Sequence, residues 1–245
     1  MKPESGPGFI VPDWPAPPNV HALVTTRAGG VSAGPYAGFN LGDHVGDDPA
    51  AVAANRAALR RQLPAEPVWL RQVHGIRCVD AAAARDTEAD AACARAPNVV
   101  CAVLTADCLP LLLCDASGTA VAAVHAGWRG LAAGVVESAV AALDVPGQDL
   151  IAWLGPAIGP DSFEVGDEVR AAFVAQDPAA AAAFVPHGAG KWLCDIYRLA
   201  RQRLTRLGVR RLAGAEFCTV RERERFFSYR RDGATGRMAS LIWRS

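Results

Sequence analysis

A chain of 245 residues, 51% hydrophobic and 20% charged, carries enough apolar content to bury a core, which sets intrinsic disorder aside. Its 25 Lys and Arg balance 25 Asp and Glu, so the molecule as a whole is no polyanion binder. The basic residues nevertheless gather late: from Lys191 onward there are 14 Lys and Arg against 5 Asp and Glu, a distribution suited to phosphate or another anionic ligand.

In chain order, residues 1–19 are proline-rich and aperiodic. They read as a surface lead-in without the apolar stretch of a signal peptide. The β-rich run Val20–Thr26 is a strand ending in Arg27-Ala-Gly-Gly30. The polar, glycine-rich residues 31–48 follow, and Tyr36, Phe39 and Leu41 give them something to pack with, so they read as an ordered loop over a site. Asp48-Pro49 opens a helix running to about Leu63, with Asp as N-cap and Pro at the first helical position. Val68–Val73 reads as a strand with His74-Gly75 at its end, and the Ala-rich residues 83–98 as a surface loop or short helix.

Three apolar strands come next: Val99–Leu104, Leu109–Cys114 and, after the turn Asp115-Ala-Ser-Gly118, Thr119–His125. Asp107 and Pro110 interrupt this region, which is too short to span a bilayer. Gly127-Trp-Arg-Gly130 leads into a buried helix, Leu131–Leu143. Ile151–Leu154 is a short strand and residues 155–160 a breaker-rich loop. Helices are expected from Gly166 to about Gln176, over a short Ala run after Asp177-Pro178, and from Trp192 to Leu207, where Gly208 ends the periodicity. Arg211–Phe217, Phe226–Arg231 and Met238–Trp243 read as the last strands. No repeat or linker divides the chain, so residues 20–245 form one α/β domain. The odd count of seven cysteines predicts reduced thiols and a cytoplasmic protein.

His74, Cys108 and His125 each end an apolar strand beside small or turn residues. Two His and one Cys suit a catalytic zinc site, which commonly takes three protein ligands and leaves one position open. The same residues allow a metal-free reading. In it Cys108 is a nucleophile, His125 or His74 its base, and Asp107 or Asn40 the orienting group. Metal content lost on chelation separates the first reading from the second, which predicts alkylation by iodoacetamide and activity in EDTA. The chain lacks the H-x-E and P-C-x-x-C pair of zinc deaminases, the H-E-x-x-H pair and a Walker A loop. Nor does it show the basic stripe interleaved with aromatics that would argue for nucleic acid.

Seven segments in order resemble the YfiH/YlmD family. They are T-T-R-A-G-G-V-S-x-G-P-Y, F-N-L-G-D-H-V-G-D-D, R-Q-V-H-G, T-A-D-C-L-P-L-L-L, A-V-H-A-G-W-R-G, G-P-A-I-G-P-x-x-F-E-V-G and S-Y-R-R-D-G-x-T-G-R-M-A. The family is also known as multicopper polyphenol oxidase or laccase-like, and FAMIN is its mammalian relative. The resemblance implies a single mixed α/β domain with β-sheets sandwiched between helices. It implies a metal site of His74, Cys108 and His125 holding zinc, with copper claimed for oxidase activity. It further implies phosphorolysis of adenosine, inosine and methylthioadenosine to free base and sugar 1-phosphate, together with adenosine deamination. A peptidoglycan-precursor editing hydrolase and a copper-dependent polyphenol oxidase are the alternatives.

Given that chemistry, Asp107 is the expected proton carrier beside the metal-bound Cys. Arg27, next to Gly29-Gly30, is the first choice for phosphate, followed by Arg129 and Arg230. Asn40 and His44 would face the nucleoside. Gln72 would share a strand face with His74, because side chains alternate with a period of two.

Overall fold

The computed structural model describes residues 8–245. Residues 1–7 of the expected lead-in lie outside the described residues, and within the remainder β1 (Phe9–Ile10) pairs antiparallel with β2 (Val20–Thr25). The glycine-rich loop then leads to α1 (Pro49–Arg60), whose N-cap Asp48 accepts a hydrogen bond from Ala50 N. Strands β3 (Pro67–Val68), β4 (Cys78–Asp80), β5 (Ala91–Ala94), β6 (Val100–Thr105), β7 (Leu109–Asp115) and β8 (Val121–Ala126) follow. Two helices, α2 (Trp128–Ala133) and α3 (Val135–Leu143), are separated by Gly134, whose φ of 110° breaks the single helix expected there. The rest comprises β9 (Leu150–Leu154), β10 (Glu164–Gly166), α4 (Asp167–Val174), β11 (Phe184–Pro186), β12 (Lys191–Cys194), α5 (Ile196–Arg206), β13 (Arg211–Gly214), α6 (Tyr229–Asp232) and β14 (Met238–Arg244).

Two mixed sheets lie face to face. One runs β1-β2-β14-β6-β3, the other β13-β9-β7-β8-β5-β4, and β10-β12-β11 make a small third sheet. Strand alternation builds the layers. Leu112 and Cys114 of β7 point between the large sheets, where they meet Val103 of β6 and Ile242 of β14. Their neighbours Leu109, Leu111 and Leu113 point the other way, onto α2, α3, α4 and α5. On the outer face of the five-stranded sheet, Leu23, Leu104 and Leu241 pack against Phe39, Leu41 and Leu59, the last of these from α1. The result is two sheets sandwiched between helices, the expected fold class. Among the described residues no helix is long and apolar enough to cross a membrane.

Several expected elements differ. The strand expected over Val68–Val73 stops at Val68, and the chain then leaves the sheet. Within residues 83–98, read as a surface loop or short helix, Ala91–Ala94 is a buried strand held between β8 and β4. The helix expected from Trp192 starts at Ile196, because Asp195 accepts from Arg198 N and caps it there. Residues before that cap form β12. The strand expected over Phe226–Arg231 is absent: Ser228 accepts from Arg231 N and caps α6, while Phe226 and Phe227 are buried. The short run after Asp177-Pro178 is a 3-10 helix.

Candidate metal centre

Two chain segments cross between the large sheets at one end, and each delivers a candidate ligand. The β6–β7 crossing carries Asp107 and Cys108, and the β3–β4 crossing carries His74. His125 comes from the last turn of the β8 ladder, opposite Pro110. These three residues, separated by 34 and 17 positions in sequence, converge: one ligand atom from each lies within 4.8 Å of the others. His74 Nε2 is 3.8 Å from Cys108 Sγ, and the two imidazoles stand edge to face with centroids 4.8 Å apart. Bonds of about 2.0–2.3 Å to a tetrahedral zinc place its ligand atoms about 3.5 Å apart. The exposed His74 can close the remaining gap, so the donor set fits such an ion.

The backbone is shaped for this convergence. His74 and Asp107 both adopt left-handed φ, 59° and 87°, which is uncommon for residues with side chains and concentrates at functional sites. Extending the β7–β8 register places Cys108 opposite Gly127, where a Cβ would sit 2.8 Å from His74 Cδ2 and 3.1 Å from Cys108 Sγ. Glycine leaves this space to the candidate ligands, and any larger residue would displace His74.

Electrostatics couple the ligands. Burial works against a Cys108 thiolate, yet the adjoining His125 and His74 outweigh it and bring the thiol down to about 6. Burial likewise disfavours a charged His125, but the Cys108 thiolate and the Asp90 carboxylate lift it to about 9. The opposite shifts favour a thiolate beside a charged imidazole. Asp90, which accepts from His125 Nδ1 at 2.7 Å, was not among the residues singled out from sequence. Burial would raise its pKa, but the hydrogen bonds from His125 and from the amides of Gly75 and Val73 hold it below the usual carboxylate range.

A cavity of about 490 Å³ opens in front of the three ligands, within the usual range for small-molecule sites of about 300–1,000 Å³. Trp128, Ile158, Phe163, Ile196 and Tyr229 supply apolar wall, while Arg129, Arg230, Arg237 and His44 supply donors. Arg129 stacks on Trp128 with its guanidinium 4.5 Å from the ring centroid. Arg230 donates to Glu164 O at 2.8 Å and lies over Phe163. Arg237, passed over in the sequence, donates to Thr235 O and Gly236 O, and burial lowers its pKa.

The other expected site residues fall differently. Arg27 is not among the cavity-lining residues; it donates to Arg223 O and Ala37 O and lies 4.9 Å above Phe227. Asn40 is fully buried, and its amide bonds Gly42, Asp47 and Arg237 N, leaving it a loop-folding group. Gln72 lines the cavity, yet its amide donates to Leu104 O at 2.9 Å and accepts from Leu104 N at 2.7 Å, replacing the backbone pairing that β3 gives up. The strand alternation expected for Gln72 and His74 fails, since no strand reaches them. Asp107 lines the cavity with both oxygens engaged: Oδ1 accepts from Thr219 Oγ1 at 2.5 Å and Oδ2 from Arg230 N at 2.6 Å. His44 lines it with an exposed ring near Asp43. Residues 30–34 spell G-x-S-x-G, but no strand–turn–helix elbow is built there, and Ser32 donates to Asp47 Oδ2 at 2.6 Å.

The chain is similar over nearly its whole length to proteins of one family and to a solved structure of the same fold. The family model described as multi-copper polyphenol oxidoreductase laccase matches residues 21–245. A purine nucleoside phosphorylase of Pseudomonas aeruginosa is 56% identical over 96% of this chain and 98% of its own length. The purine nucleoside phosphorylase YfiH of Escherichia coli is 54% identical with the same coverage. The crystal structure of Neisseria meningitidis protein NMB0706 superposes with a TM-score of 0.95, at 55% identity, over 97% of this chain and 99% of that one.

Proposed function

Because the chain belongs to the family described as multi-copper polyphenol oxidoreductase laccase, whose relatives above are named purine nucleoside phosphorylases, we propose that it is a zinc-dependent purine nucleoside phosphorylase acting on adenosine, inosine and methylthioadenosine. The observation that carries this reading is the composition of the cavity, which sets a metal-ligand triad between apolar aromatic walls and three guanidinium groups. Phosphorolysis needs those three things together: a surface for a flat purine, cationic donors for phosphate, and a means of weakening the glycosidic bond.

Trp128, Phe163 and Tyr229 present ring surface on which a purine can rest. Of the arginines expected to bind phosphate, Arg129 and Arg230 line the cavity and Arg27 does not, and Arg237 joins them there. Arg129 is the foremost of them, since its guanidinium makes no hydrogen bond or ion pair with the described residues and only stacks on Trp128. A planar guanidinium matches two phosphate oxygens and orients the anion for attack. The phosphate oxygen then bonds to the sugar C1′ while the bond from C1′ to the purine nitrogen breaks, and its electron pair leaves with the base. Asp107, by holding Thr219 and the start of α6, fixes Tyr229 and Arg230 on the cavity wall. His74, Cys108 and His125 would hold the ion, and zinc suits two nitrogens and one thiolate. When bound, it supplies Lewis acidity and a water deprotonated near neutral pH.

The last property favours adenosine deamination as a second activity of the same cavity, with the Asp107 carboxylate as the acid–base group at its wall. Copper oxidation of phenols, suggested by the family description, asks for more ligands than the single three-residue cluster found among the described residues. The test uses metal-analysed protein incubated with adenosine, with and without phosphate, and product chromatography. Adenine that forms only with phosphate supports phosphorolysis, and inosine formed without phosphate dependence supports deamination. Loaded protein that yields neither product would refute the proposal.

A further inference from the structure

Asp90 is fully buried and immediately precedes β5, in register opposite His125 on β8. Two contacts join them: His125 N donates to Asp90 O at 2.7 Å, and the His125 ring bonds the Asp90 carboxylate, Nδ1 to Oδ1, also at 2.7 Å. The same carboxylate reaches the opposite side of the site. Oδ1 accepts from His74 N at 2.9 Å, and Oδ2 accepts from Gly75 N at 2.6 Å and Val73 N at 3.2 Å.

One buried side chain thus touches two of the three candidate ligands, one through its ring and the other through its backbone. Three successive amides converging on an anion form a nest, and the left-handed φ of His74 is the turn that aims them inward. A carboxylate in this interior needs such donors to remain charged. In return, its charge sets the His125 ring: with Nδ1 as the donor, the lone pair is left on Nε2, the nitrogen turned away from Asp90.

We propose that Asp90 is the positioning residue of the metal centre, fixing the Nε2 lone pair of His125 toward the ion and holding the 73–75 turn that presents His74. The proposal rests on the metal-binding reading of the triad and not on the identity of the substrate. Replacing Asp90 by Asn isolates the role. The amide oxygen can still accept from the turn, but the amide NH₂ cannot accept from Nδ1–H. His125 is driven toward the other tautomer, with its proton on the nitrogen the metal requires.

Two measurements on the zinc-loaded protein test this. In competition with a chelator of known affinity, Asp90→Asn is expected to bind zinc about 10- to 100-fold more weakly. In ¹⁵N–¹H spectra of the imidazoles, the wild-type protein is expected to show a slowly exchanging proton on His125 Nδ1. A merely structural Asp90 would lower the melting temperature of the variant and leave its zinc affinity within about threefold of wild type, which overturns the proposal. So does a wild-type His125 without the Nδ1 proton, and this second measurement decides the matter if the variant does not fold. Wild-type protein that binds no zinc overturns the metal reading and the proposal together. Protein that binds zinc but lacks phosphorolysis overturns only the phosphorylase reading, and the same two measurements still decide the role of Asp90.

Discussion

Placing a methyl group at Gly127 should weaken zinc binding at the candidate centre while leaving the fold intact. The residue has φ −62° and ψ 155°, a conformation open to alanine, so Gly127→Ala introduces no backbone strain. Its whole effect must come from the new Cβ, which would lie 2.8 Å from His74 Cδ2 and 3.1 Å from Cys108 Sγ. Carbon atoms rest about 3.5–4.0 Å apart, so the His74 ring has to retreat by about 0.7 Å or more. Metal–ligand distances tolerate only about 0.2 Å. Because His74 is exposed, it can yield without disturbing the core, and the penalty falls on binding. Overpacking of this kind costs about 1–3 kcal/mol, which corresponds to a loss of about 5- to 150-fold in zinc affinity. Chelator competition measures the affinity, and thermal unfolding of the metal-free protein provides the control. Zinc affinity within about twofold of wild type would refute the claim that the ligands fill the Gly127 side-chain space. An equally large fall in the stability of the metal-free variant would refute the claim that the effect is local.

Three further outcomes follow from particular contacts. Arg129→Ala should raise the phosphate KM about tenfold or more with little effect on melting temperature, whereas Arg27→Ala should lower the melting temperature and leave the phosphate KM unchanged, because Arg27 bonds Arg223 O and Ala37 O away from the cavity. Cys108 in the loaded protein should resist iodoacetamide; after chelation it should react at a rate that is level above pH about 6 and falls below it, as the thiolate is protonated. Asp115 closes the β7–β8 turn by accepting from Thr119 N at 2.6 Å, Ala120 N at 2.8 Å and Thr119 Oγ1 at 2.9 Å. Burial opposes its charge, but these donors prevail and hold its pKa below the unfolded value of about 3.9. Its contribution is therefore complete above that value and disappears as pH falls through the lower folded pKa. Asp115→Asn should accordingly flatten the acid side of the stability profile and cost about 1–3 kcal/mol near neutral pH, as read by urea unfolding across pH.

What could be read from the residues depended on whether local pattern or tertiary setting decided the outcome. Cys108 and His125 were legible because each ends an apolar run, and the ends of buried strands are where a polar side chain meets a cavity. His74 was found by the same reasoning although its supposed strand stops at Val68: the glycine and polar neighbours that mark a strand end equally mark a crossing between sheets. The arginines were less legible. Arg27 and Arg237 both sit near glycines in sequence, and only the packing shows that Arg27 turns onto Phe227 while Arg237 turns into the cavity. Asn40 and Gln72 carried the right chemistry for a ligand, but the Asn40 amide ties loop backbone at Gly42 and Arg237, and the Gln72 amide pairs with the β6 edge at Leu104 that β3 leaves open.

Asp90 was hidden for a more instructive reason. Ala91-Ala-Cys-Ala94 has no β-branched residue, and alanine favours helix, so local propensity argues against the strand these residues form. They are extended because β8 and β4 pair with them on both sides, and their small side chains are buried in the sheet's two packed faces. Once that strand is in place, the register alone sets Asp90 against His125. The candidate ligands of this centre can thus be read in the local sequence, whereas the positioning residue proposed for them is set only by the pairing of strands. A search for positioning groups in related chains should therefore begin from the ladder partner of each ligand rather than from its neighbours in sequence.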